Sequence, residues 1–256
     1  MKRKNTLKQV LLVSLATIML LAAAGCGTIK DLAGGVKSKA EFVNAMKKIE
    51  ELDRKVESGD IENDTEKYSE KEYGKFVGLI EAEKKYYIAL DKKMKSFEED
   101  SQDFLMEDLA FDKPEDTETL RKAADKLDTS LKEYLDTIKK LNEDNLKEIE
   151  GLDIPKDYKE IYLDAKKKVD QSLDKYIDEL NKSAKVLVSG LKEMADILDK
   201  AWKAEDESEL DEYLERLEEI AEEMEKVESS VNDIEEDFNK DIENINKELV
   251  KKAEEL

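Results

Sequence analysis

Residues 158–201, YKEIYLDAKKKVDQSLDKYIDELNKSAKVLVSGLKEMADILDKA, decide the fold. Apolar residues recur every three or four positions along this stretch, with an average spacing of about 3.6, which is the period of a straight helix packed in a bundle. The stripe consists of Tyr158, Tyr162, Ala165, Val169, Leu173, Tyr176, Leu180, Ala184, Leu187, Leu191, Met194, Leu198 and Ala201. We therefore predict a helix that begins near Pro155 and ends near residue 203.

Similar periodicity on both sides of this stretch predicts four further helices. They cover about 36–57, 65–110, 114–150 and 208 to the C-terminus. Asp112, Pro114 and Glu115 resemble the start of a helix, and Gly151 is a plausible C-terminal cap. Because the connections are short, we expect an all-α fold, an elongated antiparallel bundle of about five helices.

The last predicted helix has the period of a coiled coil. Nine apolar residues fill nine strict positions at a spacing of 3.5, namely Leu210, Tyr213, Leu217, Ile220, Met224, Val227, Val231, Ile234 and Phe238. This period is typical of a left-handed supercoil. The sequence therefore leaves open a homo-oligomer formed through this helix.

Composition excludes several classes of function. The 256 residues carry a formal net charge of −22 and include no His, one Cys and nine Gly. Without His there is no imidazole base or zinc ligand, and one Cys forms no internal disulfide. The acidic balance disfavours nucleic acid as a partner, because phosphate binding needs clustered Lys and Arg. We expect no enzyme activity and no cofactor or metal.

The N-terminal residues are interpreted as a targeting signal rather than as part of the fold. Residues 1–9, MKRKNTLKQ, are basic, and residues 10–24, VLLVSLATIMLLAAA, are an uncharged apolar run. Such a pair is typical of a secretory signal. The stretch LAAAGCG, which ends this run, resembles the lipobox of bacterial lipoprotein precursors. An ordinary signal peptide cleaved after Ala22–Ala24 is the alternative.

The resemblance to lipoprotein precursors implies lipid attachment at Cys26 and cleavage between Gly25 and Cys26. Residues 1–25 would be the signal peptide, 26–35 a lipidated flexible tether, and 36–256 a helical ectodomain on the extracytoplasmic side of the cell membrane. Removing residues 1–25 takes away four basic residues and no acid, which leaves a net charge of −26. Membrane contact would then rest on the lipid alone, since no polybasic patch is left to hold anionic lipid.

Two acidic groups are candidate cation sites. Asp60, Glu62 and Asp64 alternate as in a calcium loop, but an EF-hand needs Gly at the sixth position and Glu at the twelfth, where this chain has Thr65 and Lys71. A solvated loop is the preferred interpretation. The second group is interpreted as a charged helix face and contains Glu98, Glu99, Asp100, Asp103, Glu107 and Asp108.

Aromatic and additional apolar residues are interpreted mainly as core. Most of the nine Tyr occupy stripe positions, although Tyr86 and Tyr87 are adjacent, so one ring could be an exposed contact. We expect Trp202 to plug the end of the bundle. The helix over 155–203 carries a second set of apolar residues, which predicts a central place in the bundle or else a self-association surface: Ile161, Ile177, Val186, Val188, Ala195 and Ile197.

These observations favour a non-enzymatic lipoprotein that acts as an interaction, spacer or scaffold module at the cell envelope. Its plan is similar to that of helical lipoproteins described as cell-wall binders, in architecture only. The expected partner is the cell wall or another envelope protein. The alternative is a lipoprotein that binds a hydrophobic ligand or a peptide between its helices, in a cavity lined by Met and Tyr stripe residues.

Overall fold

The structure, a computed structural model, describes residues 37–106, 114, 116–204 and 206–256. Within these ranges it contains helices and no strand, so the predicted all-α class is confirmed. The α-helices are α1 (Lys37–Glu57), α2 (Glu70–Tyr73), α3 (Val77–Met106), α4 (Asp116–Gly151), α5 (Lys156–Ala201) and α6 (Glu207–Glu255). Short 3-10 helices cover Ile61–Asn63 and Gly74–Phe76.

The described residues form two compact units, and each of the four long helices contributes to both. Unit A contains residues 37–94, 136–176 and 236–256. Unit B contains the described residues of 95–135 and 177–235. The helix over 155–203, which the sequence predicts most firmly, is α5, and nine of its thirteen stripe residues are buried.

In unit A, α5 runs antiparallel to both α4 and α6. Between α4 and α5, Lys139 pairs with Asp174 and Asn142 donates a hydrogen bond to Asp170. Between α5 and α6, pairs join Asp164 to Lys252, Lys168 to Glu248, Ser172 to Asp241 and Tyr176 to Phe238. In each set the residue numbers rise on one helix and fall on the other, which is the antiparallel order predicted from short connections.

Unit B shows the same order among its own residues. Between α4 and α5, pairs join Thr117 to Asp199, Arg121 to Asp196 and Asp125 to Lys192. Gly190 of α5 lies against α6, where an added Cβ would come 3.3 Å from Ile220 and from the Met224 sulfur. The missing side chain therefore lets these two helices approach closely at this point.

Three aromatic rings join the helices of unit A. The centroids of Phe42 on α1 and Phe76 are 5.2 Å apart, and Tyr158 on α5 lies 4.9 Å from Phe42 and 5.6 Å from Phe76. All three are buried. Edge-on and tilted rings at this spacing add about 0.5–1.5 kcal/mol per pair beyond the burial of their area.

The predicted helix over 65–110 is wrong at its beginning. Residues 64–69 are not helical, α2 covers only four residues, and a 3-10 helix at Gly74–Phe76 separates it from α3. Gly74 has φ +53° and ψ −132°, a backbone conformation that is closed to residues with a side chain. A Cβ at this position would also overlap the carboxylate of Glu41 on α1. The helix is thus interrupted where α1 passes close to the backbone.

The other helix ends differ from the predictions by only a few residues. The N–H of Lys159 donates to the carbonyl oxygen of Pro155, which therefore opens α5 as expected. Gly151 is the last residue of α4 and has no positive φ, so it is not a left-handed cap. The last helix begins at Glu207, and Asp206 caps it by accepting the N–H of Ser208. Asp112 and Glu115 lie outside the described residues.

We expect Gly74→Ala to destabilise the protein by about 1–3 kcal/mol, because the new Cβ needs a strained backbone and displaces the Glu41 carboxylate. Urea unfolding followed by circular dichroism measures the change. The matched control is Gly151→Ala, which meets nothing within 4 Å. Equal stabilities for the two variants would contradict the role given to Gly74.

Candidate functional site

A cluster of paired charges surrounds the covered carboxylate of Asp64 in unit A. Its side chain has no exposed surface and accepts hydrogen bonds from Lys55 at 2.6 Å and from Lys84 at 2.7 Å. It also accepts the backbone N–H of Glu66 at 2.9 Å. Lys55 belongs to α1 and Lys84 to α3, so one carboxylate ties the loop after α1 to both helices.

A second lysine of α1 joins this cluster. Lys48 is buried and pairs with Glu66 at 2.5 Å and with Glu51 at 2.8 Å. The Tyr68 ring lies near two cations, 5.9 Å from the ammonium nitrogen of Lys48 and 5.3 Å from that of Lys84. These distances are within the range of cation–π attraction. We call Asp64, Glu66, Tyr68, Lys48, Lys55 and Lys84 the Asp64 cluster.

The ionisation of the cluster is set by its pairing. Burial alone would raise the pKa of Asp64, but the hydrogen bonds from Lys55, Lys84 and Glu66 outweigh it and hold that pKa well below its usual value. Burial also works against the charged form of Lys48, yet Glu51 and Glu66 raise its pKa. Asp64 and Lys48 therefore both carry their charges at neutral pH.

Tyr68 is the uncharged member of the cluster. Burial, followed by the negative charges of Asp64 and Glu66, raises the pKa of its hydroxyl. That hydroxyl oxygen is buried and has no hydrogen-bond partner among the described residues. Tyr68 is therefore a neutral phenol at physiological pH.

The expectation of a solvated loop at Asp60, Glu62 and Asp64 is wrong for Asp64, whose carboxylate is fully covered. The three acids also point to different partners. Asp60 accepts a hydrogen bond from Ser58 at 3.2 Å, and Glu62 lies 3.9 Å from Lys92. No group of three or more metal-ligating residues is found in the part of the chain that the structure describes.

An open groove of about 590 Å³ borders the Asp64 cluster. Its lining is Glu66, Lys67, Tyr68, Glu81, Lys84, Lys85 and Ile88. Lys84 is held by Asp64, and Lys85 pairs with Glu148 at 2.7 Å. Both of these cations already have carboxylate partners within the molecule, and Glu66 and Glu81 add negative charge. The groove therefore offers mixed polarity rather than a concentrated positive site.

A buried carboxylate in unit A is a second polar feature. Glu83 on α3 is fully buried and accepts a hydrogen bond from the Tyr162 hydroxyl at 2.8 Å. Its oxygens lie 3.2 and 3.3 Å from the Lys166 ammonium nitrogen. Lys166 in turn lies 4.9 Å from the centroid of the Tyr86 ring. These contacts join α3 to α5. Because Glu83 is fully buried, we interpret the arrangement as a structural link rather than as a substrate site.

Sequence reasoning did not predict the burial or the partners of either polar feature. Glu83 falls on the apolar stripe of α3, between Ile80 and Tyr87, and an acid at a core position was the signal that could have found it. Asp64 was noted among the alternating acids, but its burial and its pairing could not be predicted, because Lys55 and Lys84 come from different helices.

The interpretation of the tyrosines as core is confirmed for six of the nine, Tyr73, Tyr87, Tyr134, Tyr158, Tyr162 and Tyr176, which are buried. Tyr86 is half-buried beneath Lys166, so the pair Tyr86 and Tyr87 does not leave one ring fully exposed. Trp202 is 45% exposed, and the expectation that it plugs the end of the bundle is wrong.

The additional apolar residues of α5 are mostly core. Ile177, Val188, Ala195 and Ile197 are buried, Ile161 is half-buried, and Val186 is 44% exposed. Within unit B this agrees with a central place for α5. The predicted coiled-coil seam of α6 is buried from Ile220 to Val231, and Ile220 and Met224 lie against Gly190 of the same chain.

The predicted lipid-attachment and cleavage residues, Cys26 and Gly25, lie outside the described residues. Of the second acidic group, Glu98 and Glu99 are exposed, and Glu107 and Asp108 are also outside the described ranges. None of the helices within those ranges is both long enough and apolar enough to cross a membrane.

Comparisons with known proteins add no family. No protein-family model matches the chain, and neither the curated proteins nor the solved structures include a significant match.

Replacing Asp64 with Asn should cost about 2–3 kcal/mol at pH 7, because Lys55 and Lys84 lose their shared charged partner. The folded-state pKa of Asp64 lies below its unfolded value, so its contribution is present above about pH 4 and fades as the pH falls. Urea unfolding of both proteins from pH 7 to pH 2 should show the gap closing in acid.

The control for Asp64→Asn is Asp153→Asn, since Asp153 is fully exposed and lies 3.8 Å from Lys75. That change should stay within about 0.5 kcal/mol. A gap between the wild type and Asp64→Asn that stays constant down to pH 2 would show that the carboxylate charge does not stabilise the fold.

Glu83→Leu should destabilise the protein by about 3–5 kcal/mol, because the Lys166 ammonium and the Tyr162 hydroxyl stay buried without their acceptor. Adding Tyr162→Phe and Lys166→Met should recover most of that loss, since an apolar cluster of similar volume replaces the polar one. Glu81→Leu, at an exposed position of the same helix, is the control. A triple variant no more stable than Glu83→Leu would contradict the argument.

Proposed function

We propose that the protein is a lipid-anchored, extracytoplasmic helical lipoprotein that serves as a non-enzymatic interaction or spacer module at the cell envelope. The observation that carries the proposal is the position of Cys26. It is the only cysteine in 256 residues, and it directly follows an apolar run and the small residues of LAAAG.

The helical part of the chain supports this assignment. Its described residues, from Lys37 onward, form two helical units with buried apolar cores. The charged residues of the Asp64 cluster pair with one another, as expected of a scaffold. Long antiparallel helices of high charge give a stable, soluble body that a lipid tether would hold at a surface.

The alternative of a hydrophobic ligand between the helices has less support. The groove beside Tyr68 is open and lined mainly by charged residues, rather than by the Met and Tyr stripe residues that such a cavity would use. Four Tyr stripe residues of unit A instead belong to one buried apolar cluster with Phe42 and Phe76, namely Tyr73, Tyr87, Tyr158 and Tyr162.

Thiol chemistry tests the lipid anchor directly. In the lipidated protein the sulfur of the single cysteine is a thioether, so a maleimide probe should label none of the denatured membrane-bound protein. Cys26→Ser should remove the anchor and shift the protein from the membrane fraction to the soluble or secreted fraction. Mass spectrometry of the N-terminal peptide should show a diacylglyceryl adduct on residue 26 in the wild type only.

Gly25→Leu is a second variant for this experiment, because it keeps the thiol while altering the residue before the cleaved bond. We expect it to slow processing and to leave a longer precursor. A membrane-bound wild type with a free, fully reactive thiol would overturn the proposal, as would unchanged membrane retention of Cys26→Ser.

A further inference from the structure

The beginning of α6 carries apolar residues that unit B leaves partly uncovered. Leu210 is 38% exposed and Leu214 is 41% exposed, while Tyr213 and Leu217 are half-buried. One turn later Ile220 and Met224 are each 1% exposed, pressed against Gly190 of α5. We call Leu210, Tyr213, Leu214 and Leu217 the α6 face.

The α6 face continues the apolar seam that is buried further along the same helix. Leu210, Tyr213 and Leu217 keep the same 3.5-residue spacing as Ile220, Met224, Val227 and Val231, which are buried. The apolar pattern thus starts at Leu210, about one and a half heptads before Ile220, the first buried position of the seam. Apolar residues at this spacing fit the knobs-into-holes packing of another helix.

Charge around the α6 face limits what could cover it. Residues 206–225 contain eleven acids and one base, Arg216, which is already paired with Glu193 and Glu219. The acids beside the face, among them Glu209, Asp211, Glu212, Glu215 and Glu218, are exposed. A second copy of this segment would bring like charges together, and an anionic lipid surface would be repelled.

We propose that the α6 face is a docking surface for a basic amphipathic helix of a partner protein. Apolar side chains of that helix would continue the seam, and its Lys or Arg residues would meet the flanking acids. This inference rests on the proposed function as an interaction module and names the chemistry of its partner. It concerns unit B alone.

A model peptide tests the docking surface. The probe is a synthetic three-heptad helix with Leu at positions a and d, Lys at e and g, and no Trp or Tyr. Titration into the full-length protein in a zwitterionic detergent, followed by calorimetry, should show one saturable site whose affinity falls as salt rises. The same peptide with Glu in place of Lys should not bind.

The exposed positions offer a matched pair of variants. Leu210→Asn with Leu214→Asn should weaken binding at least about tenfold, because two anchors lose their apolar contact. Val186→Asn changes an equally exposed apolar residue on α5 of the same unit and should leave the affinity unchanged. Peptide partitioning into micelles is the same for all variants. A difference in affinity between the variants therefore measures binding at the α6 face.

Trp202 gives a second readout from inside the molecule. It is the only tryptophan, it is 45% exposed, and it lies in the turn that leads into α6. Binding should shift its fluorescence emission to shorter wavelength in the wild type and in Val186→Asn, and the double variant should need at least about tenfold more peptide for the same shift.

Several outcomes would overturn the proposal. Equal affinity of the double variant and the wild type would place the peptide elsewhere, and equal binding of the Glu peptide would remove the charge argument. A dimer that dissociates in the double variant would make a second copy the occupant. Slow amide exchange over 208–219, equal to that over 220–231, would mean that the chain itself covers the face. Each result is independent of whether Cys26 carries lipid.

Discussion

The apolar surface of α5 is the constraint on which both units depend. This surface is wide enough to contact more than one neighbouring helix, because Ile177, Val188, Ala195 and Ile197 lie beside the main stripe and are also buried. A helix that is apolar on more than one side must be covered on more than one side. In each unit, residues of α4 and of α6 contact α5 in antiparallel order. These two neighbours help to cover the apolar surface of α5.

Polar groups at the contacts then select one arrangement from several that apolar burial would allow. Two apolar stripes can slide past one another by a turn at modest cost, whereas Glu83 finds the Tyr162 hydroxyl and the Lys166 ammonium in one register only. Asp64 acts in the same way on the loop after α1, since Lys55 and Lys84 come from different helices. Such groups add little net stability compared with apolar side chains of equal volume, and their contribution is to the choice of register.

The sequence was sufficient to predict the class of fold and most helix ends, because helical periodicity is a local property that a long stripe repeats many times. It could not predict the break at Gly74, which depends on the approach of α1 and on the Glu41 carboxylate. It also could not predict the burial of Asp64 or the exposure of Trp202, since both depend on which neighbours meet at that point. Within α3, Glu83 was visible as an acid on an apolar stripe, and its partners on α5 were not.

The apolar seam of α6 is buried over one part of the helix and partly exposed over another. From Ile220 to Val231 its seam is buried against its own unit, and a Gly at position 190 lets the backbones come close. From Leu210 to Leu217 the same spacing continues where acids are most concentrated and cover is incomplete. Folding of unit B does not require apolar residues at these partly exposed positions. Polar residues there would make the beginning of α6 more soluble. Apolar residues kept on an exposed, highly acidic helix instead favour a partner that is both apolar and basic, and long-range attraction to such a partner would speed its association at low salt.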